Sequence, residues 1–407
     1  MNLKILAPIL AVGIFAIIGV SVIFTNYTTN GTIVSEPTTN DPSSLESSSG
    51  QSIVNENDDK KSVTEPKTNQ SLLDGKNKTS DSKSVLKIME TDGLKHAIPL
   101  NKIKSGGPPK DGIPSIDDPK FAGINNAQFV SDSDVVIGLE VNGDVRAYPL
   151  FILVWHEIVN DNVGGTPVAV TYCPLCYTNQ VFERVINGQE VEFGTSGKLY
   201  NSNLLMYDRL TDSFWSQGLG SAVTGELTGT ALKTIPFDVI TWGDWKKLHP
   251  DSLVLTTDTG HLRSYATDPY GDYYTEPRII FPVDNLDERM HAKEIILGFH
   301  EGGIYKAYKQ NDVESFKVIN DGIGDRSIML VSLFPQNSRA FDRTIGDKVL
   351  EFEFVDGKIQ DTQTQSEWNY DGLAISGQFE GDQLTRMSIS PGFWFEWVAF
   401  HPESEVW

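Results

Sequence analysis

The sequence predicts a mainly β fold, a β-rich α+β fold built as two tandem homologous lobes from an internal duplication. The first observation is a pair of alternating apolar and polar runs around Asn142-Gly143, which is typical of a β-hairpin. The second is that this motif, VVIGLEVNGDVRAYPL, recurs later in the chain as IILGFHEGGIYKAYKQ. The third is that both copies end in a similar Trp-bearing segment, TWGDWKKLHP in one and GFWFEWVAFHP in the other. Each lobe should therefore contain hairpins and a short helix near its end.

The chain begins with a continuous apolar run over residues 5–24, which is long enough to cross a bilayer as a helix. Lys4 is the only charge ahead of this run and would stay on the cytoplasmic side. A cleaved signal peptide is the alternative, although its apolar region is normally shorter. We therefore expect residues 1–25 to be a single-pass membrane anchor, or a signal peptide, and the globular part to lie outside the cytoplasm.

The next segment, residues 26–85, is rich in Ser, Thr and Asn and has almost no aromatic residue. Such a segment cannot bury enough apolar surface to fold, so we expect a disordered stalk. Residues 86–132 should then form an extended lead-in to the globular part.

The composition argues against one class of partner. The formal net charge is -22, whereas proteins that bind nucleic acid need clustered Lys and Arg to neutralise phosphates. We therefore expect no nucleic-acid partner, and an acidic excess suits a well-solvated protein outside the cytoplasm.

The first repeat should span residues 133–255. After the opening hairpin, TPVAVTY reads as a short buried strand and VFERVINGQEVEF as a second hairpin that turns at Asn187-Gly188. Near its end, Thr241 is a candidate N-cap for a short helix that carries Trp242 and Trp245.

The second repeat should span residues 294–407, after a loop-rich insert over residues 256–293. Trp394 and Trp397 take the places of the two tryptophans of the first repeat, and Ser390 is the candidate helix cap. Residues kept in both copies most readily serve the fold, so those present in one copy only are the candidates for function.

Three features of the first repeat are missing from the second. WHEIVND becomes SFKVIND, so His156 and Glu157 are replaced by Phe316 and Lys317. TYCPLC becomes SLFPQ, so both cysteines are lost, and the segment FGTSGKLYNSNLLMYDR has no clear counterpart. Because these features disappear together, we expect them to form one site, with His156, Glu157, Cys173 and Cys176 as its catalytic candidates.

Cys173-Pro-Leu-Cys176 contains the only cysteines of the chain and has three interpretations. Two thiolates at this spacing, with His156, can bind a metal ion, copper slightly preferred over zinc. Alternatively, the pair is a thiol–disulfide exchange site. Against this, the pair lies between two predicted strands, whereas a thioredoxin-like motif lies where a strand enters a helix. A plain disulfide is the third interpretation, because isolated pairs outside the cytoplasm tend to oxidise.

Other polar residues found only in the first repeat are candidates for binding a small polar ligand or for orienting metal ligands. They are Ser196, Tyr200, Asn201, Asn203 and Arg209. A serine hydrolase is disfavoured, because FGTSGK lacks the G-x-S-x-G pattern of a nucleophile elbow.

At HEIVND, TYCPLC and FGTSGKLYNSNLLMYDR the sequence resembles a widespread bacterial and archaeal family of extracytoplasmic proteins, a domain of unknown function. The resemblance covers roughly residues 86–407 and implies one intact site without naming its chemistry. The family pattern has Gly where this chain has Tyr177, and a hydrophobic residue where it has Lys198. The anchor and stalk resemble those of archaeal surface proteins.

The leading hypothesis is a membrane-anchored extracytoplasmic protein with a metal or redox site made by His156, Cys173 and Cys176. The alternatives are a metal-free thiol–disulfide redox protein and a non-enzymatic surface module that binds a ligand through its Gly/Ser/Asn-rich loop.

Overall fold

The structure is a computed structural model that describes residues 86–407. The predicted anchor and stalk, residues 1–25 and 26–85, lie outside these residues. Within the described part, no helix is both long and apolar enough to cross a membrane.

The described chain is mainly β with short helices, as the sequence predicted. Its α-helices are α1 (Leu150–Leu153), α2 (Trp242–Leu248), α3 (Gln310–Phe316) and α4 (Trp394–Phe400), and short 3-10 turns span Leu100–Lys102, Ile124–Asn126 and Gly271–Tyr274.

The strands fall into three groups along the chain. The lead-in has β1 (Met89–Thr91), β2 (Leu94–His96), β3 (Lys104–Ser105) and β4 (Phe121–Gly123). The first half has β5 (Val135–Val141), β6 (Asp144–Pro149), β7 (Ile158–Val163), β8 (Thr166–Cys173), β9 (Thr178–Glu183), β10 (Val185–Ile186), β11 (Gln189–Glu190), β12 (Phe193–Tyr200), β13 (Asn203–Asp208), β14 (Phe214–Ser216), β15 (Ser221–Thr224), β16 (Lys233–Thr234), β17 (Asp238–Thr241) and β18 (Leu253–Leu255). The second half has β19 (Ile295–Glu301), β20 (Ile304–Lys309), β21 (Val318–Ile323), β22 (Arg326–Phe334), β23 (Asn337–Asp342), β24 (Thr344–Ile345), β25 (Lys348–Val349), β26 (Phe352–Val355), β27 (Lys358–Asp361), β28 (Glu367–Trp368), β29 (Ala374–Ser376), β30 (Thr385–Met387), β31 (Ser390–Phe393) and β32 (Glu405–Val406).

The sheets of the two halves follow the same plan. The first half has the strand orders β17-β5-β6-β18-β4, β16-β9-β8-β7 and β1-β2-β15-β14-β13-β12-β3. The second half has β31-β19-β20-β32, β21-β22-β23-β30 and β26-β27-β28-β29. The lead-in strands therefore extend two sheets of the first half only.

Buried contacts also recur between the halves. Trp245 lies over Gly138 and donates its indole N–H to Ser252, while the second half repeats this with Trp397, Gly298 and Ser404. A buried Tyr–Asp pair recurs in the same way, as Tyr148 with Asp161 and Tyr308 with Asp321. These matches are what two copies of one ancestor would keep, but descent from a duplication stays a prediction, as do the boundaries proposed for the repeats.

Only one of the two predicted helix caps is correct. The Thr241 hydroxyl accepts a hydrogen bond from the Asp244 amide at the start of α2. The prediction for Ser390 is wrong, because this residue begins β31 and α4 follows Phe393, which has no hydroxyl. Instead, the Ser390 hydroxyl accepts a hydrogen bond from Gln180 Nε2 at 2.7 Å.

Two matching contacts join the halves. On one side β31 lies beside β9, where Gln180 meets Ser390. On the other side β17 lies beside β23, where Asp238 accepts hydrogen bonds from Arg339 and Arg386 at 2.8 to 2.9 Å. One apolar core contains residues from both halves and from the insert between them, so the halves share buried surface.

Candidate functional site: a buried pair of thiols

The two cysteines lie at one turn between β8 and β9. Cys173 is the last residue of β8, and its carbonyl accepts a hydrogen bond from the Cys176 amide at 3.3 Å. Both are free thiols, 1% and 0% exposed. The turn joins two strands, as predicted, so no helix N-terminus is present at this turn to lower the pKa of a thiol.

The hairpin of β12 and β13 has longer strands than its counterpart, β26 and β27, and its tip lies against the thiols. Asn203 Nδ2 donates to Cys176 Sγ at 3.3 Å, and Cys173 Sγ lies 4.0 Å from the Ser202 carbonyl oxygen. Asn201 and Ser202 have φ of 51° and 63°, which costs a non-glycine residue about 1 kcal/mol or more. Ser202 Oγ is buried without a hydrogen-bond partner in the described part of the chain. Strain and an unpaired polar atom together are typical of functional sites.

A buried polar network fixes the orientation of the Asn203 side chain. Gln217 Oε1 accepts from Asn203 Nδ2 at 2.8 Å, and the Gly218 amide donates to Asn203 Oδ1 at 2.9 Å. Gln217 Nε2 in turn donates to the Thr171 hydroxyl at 3.2 Å. Because both ends of the Asn203 amide have partners, its N–H is directed at the sulfur, where it favours the thiolate.

The second half contributes a carboxyl group to this site. Glu396 lies on α4, is 4% exposed, and is close enough to Cys176 for its charge to act on the thiol. Burial raises the pKa of Glu396 to about 8, against the opposing effect of the Thr178 hydroxyl. Burial also raises the pKa of the Cys176 thiol, and Cys173 and Glu396 raise it further. At neutral pH both groups are therefore mostly uncharged, and ionising one makes it harder to ionise the other.

His156 and Glu157 adjoin in sequence but have different surroundings. His156 Nδ1 lies 2.7 Å from the Pro114 carbonyl and Nε2 lies 2.7 Å from the Tyr265 hydroxyl, so Nδ1 donates and Nε2 accepts. Burial lowers the pKa of His156 to about 4, which leaves the ring neutral. Glu157 is 7% exposed, has φ of 60°, and burial raises the pKa of its carboxyl to about 8.

The structure does not bring the three predicted metal ligands together. Both ring nitrogens of His156 are engaged by groups other than the thiols. Across residues 86–407, no three His, Cys, Asp or Glu side chains are placed to hold one metal ion. The copper or zinc site therefore lacks an assembled ligand set and stays a prediction.

Of the predicted ligand-binding residues, only Asn203 contacts a sulfur. The others make contacts that hold the local structure: Ser196 binds the Leu205 carbonyl, Tyr200 binds Asp284, Asn201 binds the Ala399 carbonyl, and Arg209 binds Asp117, Glu192 and Ser115. They shape the hairpin and its connection to the lead-in and the second half.

Sequence reasoning missed Glu396 and Gln217. The signal for Glu396 was present, because WFEWVAF has one charged residue in an otherwise apolar helix. A helix that is apolar on all sides is buried, so its single carboxyl had to be buried too. Gln217 ends the segment SFWSQ, which belongs to the motifs that resemble the family, but the segment assigned no role to this glutamine.

A cleft of about 430 Å³ runs along the boundary between the halves, and its walls include Gln180, Gly218, Ser390 and His401. Gly218 also donates to Asn203, which binds Cys176. One wall residue of the cleft, Gly218, is thus linked to the Cys176 thiol through a single side chain, Asn203.

We expect Gly218→Ala to destabilise the protein by about 1 to 3 kcal/mol, the usual cost of overpacking. An added Cβ would lie 2.2 Å from Glu396 Oε1 and 3.3 Å from Asn203 Cγ. Urea unfolding of both the variant and Gly123→Ala measures this, because a Cβ at Gly123 meets nothing within 4 Å. Equal stability of the two variants would contradict the close packing at Gly218.

The fold and the site define a mainly β protein with a buried pair of thiols where two similar halves meet. The chain belongs to the family described as "Protein of unknown function (DUF3179)", which matches residues 110–404. No curated protein and no solved structure matches the chain. The family description names no activity, so a function has to be argued from the site.

Proposed function

We propose that this protein is a membrane-tethered, extracytoplasmic thiol-redox protein whose Cys173–Cys176 pair cycles between dithiol and disulfide. The tether is the apolar N-terminal run, residues 5–24, which is long enough to span a bilayer. Outside the cytoplasm such a pair meets an oxidising environment, so both redox states are accessible to it.

The observation that carries the proposal is the pair of polar groups at one sulfur: the Asn203 amide donates to Cys176 Sγ, and the buried Glu396 carboxyl acts on the same thiol. Cysteines that only fill a core need no such partners, and burying polar groups around them costs free energy. The matching turn of the second half, Phe334-Pro335-Gln336, has no cysteine. The polar groups are therefore best explained by a thiolate that forms during the reaction.

The chemistry follows from these contacts. In the fraction of molecules in which Glu396 is ionised, Cys176 gives its proton to the Glu396 carboxylate. The Cys176 thiolate then attacks a small disulfide RSSR, which releases one thiolate RS⁻. Cys173 then loses its proton and attacks the mixed disulfide, which releases the second RS⁻. The two leaving groups take up the two protons, so RSSR is reduced to two RSH while the cysteine pair is oxidised. Because both thiols are buried, each exchange needs a local opening and should be slow.

The test is equilibration of the full-length protein in detergent with mixtures of reduced and oxidised glutathione, followed by acid quenching and mass spectrometry. Cys173 and Cys176 should change together from two free thiols to one internal disulfide, with a single midpoint. Glu396→Gln should slow the oxidation by about 100-fold, the lower range for loss of a general base.

Asp244→Asn is the matched control, because Asp244 holds the same position on α2 as Glu396 on α4. The Asp244 carboxylate, however, accepts a hydrogen bond from the Thr241 hydroxyl instead of facing a thiol. Its oxidation rate should stay unchanged. Thiols that remain free in the most oxidising mixture, or equal rates for the folded Glu396 and Asp244 variants, would refute the proposal.

A further inference from the structure

A second cavity, of about 200 Å³, lies on another side of the cysteine turn. Its walls come from the lead-in, the β12–β13 hairpin, the cysteine turn and the insert. The lining is mostly apolar and includes Ile113, Leu175, Leu199, Leu204 and Phe281. An apolar cavity of about 150 Å³ is enough to bind benzene, so this one suits a benzene ring with a short substituent.

Glu157 is the carboxyl in this apolar wall. It is 7% exposed, and no side chain or amide among residues 86–407 donates a hydrogen bond to its carboxyl group. Its backbone has φ of 60°, a conformation that is uncommon for glutamate. A carboxyl that is buried without a protein partner and lines a cavity lacks the hydrogen bond that a ligand would supply.

We propose that this cavity binds a small neutral molecule with an apolar body and a carbonyl oxygen, which accepts a hydrogen bond from the Glu157 carboxyl. This site is independent of the redox proposal, because neither cysteine lines the cavity.

The protonation of the site favours a neutral ligand. Because burial raises the pKa of Glu157 to about 8, the group is a hydrogen-bond donor at neutral pH. An anion would have to leave water for an apolar wall. The only cationic group in the lining is Lys198, which is partly exposed and can keep its ammonium in solvent.

The test is calorimetric titration of the full-length protein in detergent with acetophenone, ethylbenzene and benzoate, which share a benzene ring. At pH 6.5 acetophenone should bind about 3- to 10-fold more tightly than ethylbenzene, because this is the usual net contribution of one hydrogen bond to affinity. Benzoate should bind more weakly than either.

Two variants at the same position make the test specific. Glu157→Gln keeps a donor, so the preference for acetophenone should remain. Glu157→Leu should abolish the preference, and Cys173→Ser should leave it unchanged. Absence of binding by all three probes, tightest binding by benzoate, or a preference that survives Glu157→Leu would overturn the proposal.

Discussion

The free energy of unfolding should fall by about 4 kcal/mol between pH 6.5 and pH 8.5, and replacing both Glu157 and Glu396 by glutamine should abolish this fall. Burial raises the pKa of each carboxyl from its ordinary value of 4.5 to about 8. The unfolded protein therefore releases two protons at lower pH than the folded one.

The direction of this change in the free energy of unfolding follows from proton linkage. Because the folded pKa of each group is above the unfolded pKa, the stabilisation is fully present below pH 4.5 and is lost as pH rises through about 8. With these pKa values, each carboxyl accounts for about 2 kcal/mol of the loss between pH 6.5 and pH 8.5. This window lies above the pKa values of His156 and His401, which burial lowers to about 4 and about 3.

Chemical denaturation at several pH values measures the effect in the wild type, the two single variants and the double variant. Glu226→Gln is the control, because Glu226 is exposed and its substitution should leave the pH profile unchanged. A profile that stays steep in the double variant would show that these two carboxyls are not its source.

Asp238→Ala is expected to destabilise the protein by about 3 to 5 kcal/mol, the usual cost of breaking a buried ion pair. Asp238 and Arg339 are each 1% exposed, and the carboxylate also accepts from Arg386 at 2.9 Å. Burial alone would raise the pKa of Asp238, but Arg386 and Arg339 outweigh it and hold the pKa well below its ordinary range. Without the carboxylate, Arg386 loses the Asp238 ion pair, and Arg339 keeps only the exposed Asp371 carboxylate.

Urea unfolding at pH 7 measures this loss of stability, and two further variants show whether it comes from the buried charges. Glu367→Ala removes an exposed ion pair with Lys358 and should cost less than about 1 kcal/mol. The double variant Asp238→Ala, Arg339→Met should be more stable than Asp238→Ala, because it also removes one of the two guanidinium charges that Asp238 had neutralised. If the double variant were less stable, the loss would come from packing rather than from charge.

Local features of the fold were predictable because local chemistry determines them. The hairpin at Asn142-Gly143 follows from the ability of both residues to adopt positive φ, here 51° and 81°. The start of α2 follows from the Thr241 hydroxyl. The cap predicted at Ser390 failed because the matching position is Phe393, and a nearby hydroxyl cannot substitute for one at the cap.

The candidate site was only partly predictable, because its contacts join distant parts of the chain. Cys173 and Cys176 could be predicted as site residues, because the first repeat has them and the second repeat lacks them. The same comparison could not find Glu396, which the second copy contributes across the boundary. It also grouped His156 with the cysteines, whereas a hydrogen bond to Tyr265 in the insert engages the histidine ring.

The two contacts between the halves differ in chemistry. One contact is an ion cluster of Arg339, Asp238 and Arg386, and the other has a neutral hydrogen bond between Gln180 and Ser390. A change in charge should therefore loosen the first contact, whereas the second lies beside the shared apolar core and the sulfur atoms and should be loosened by a change in packed volume.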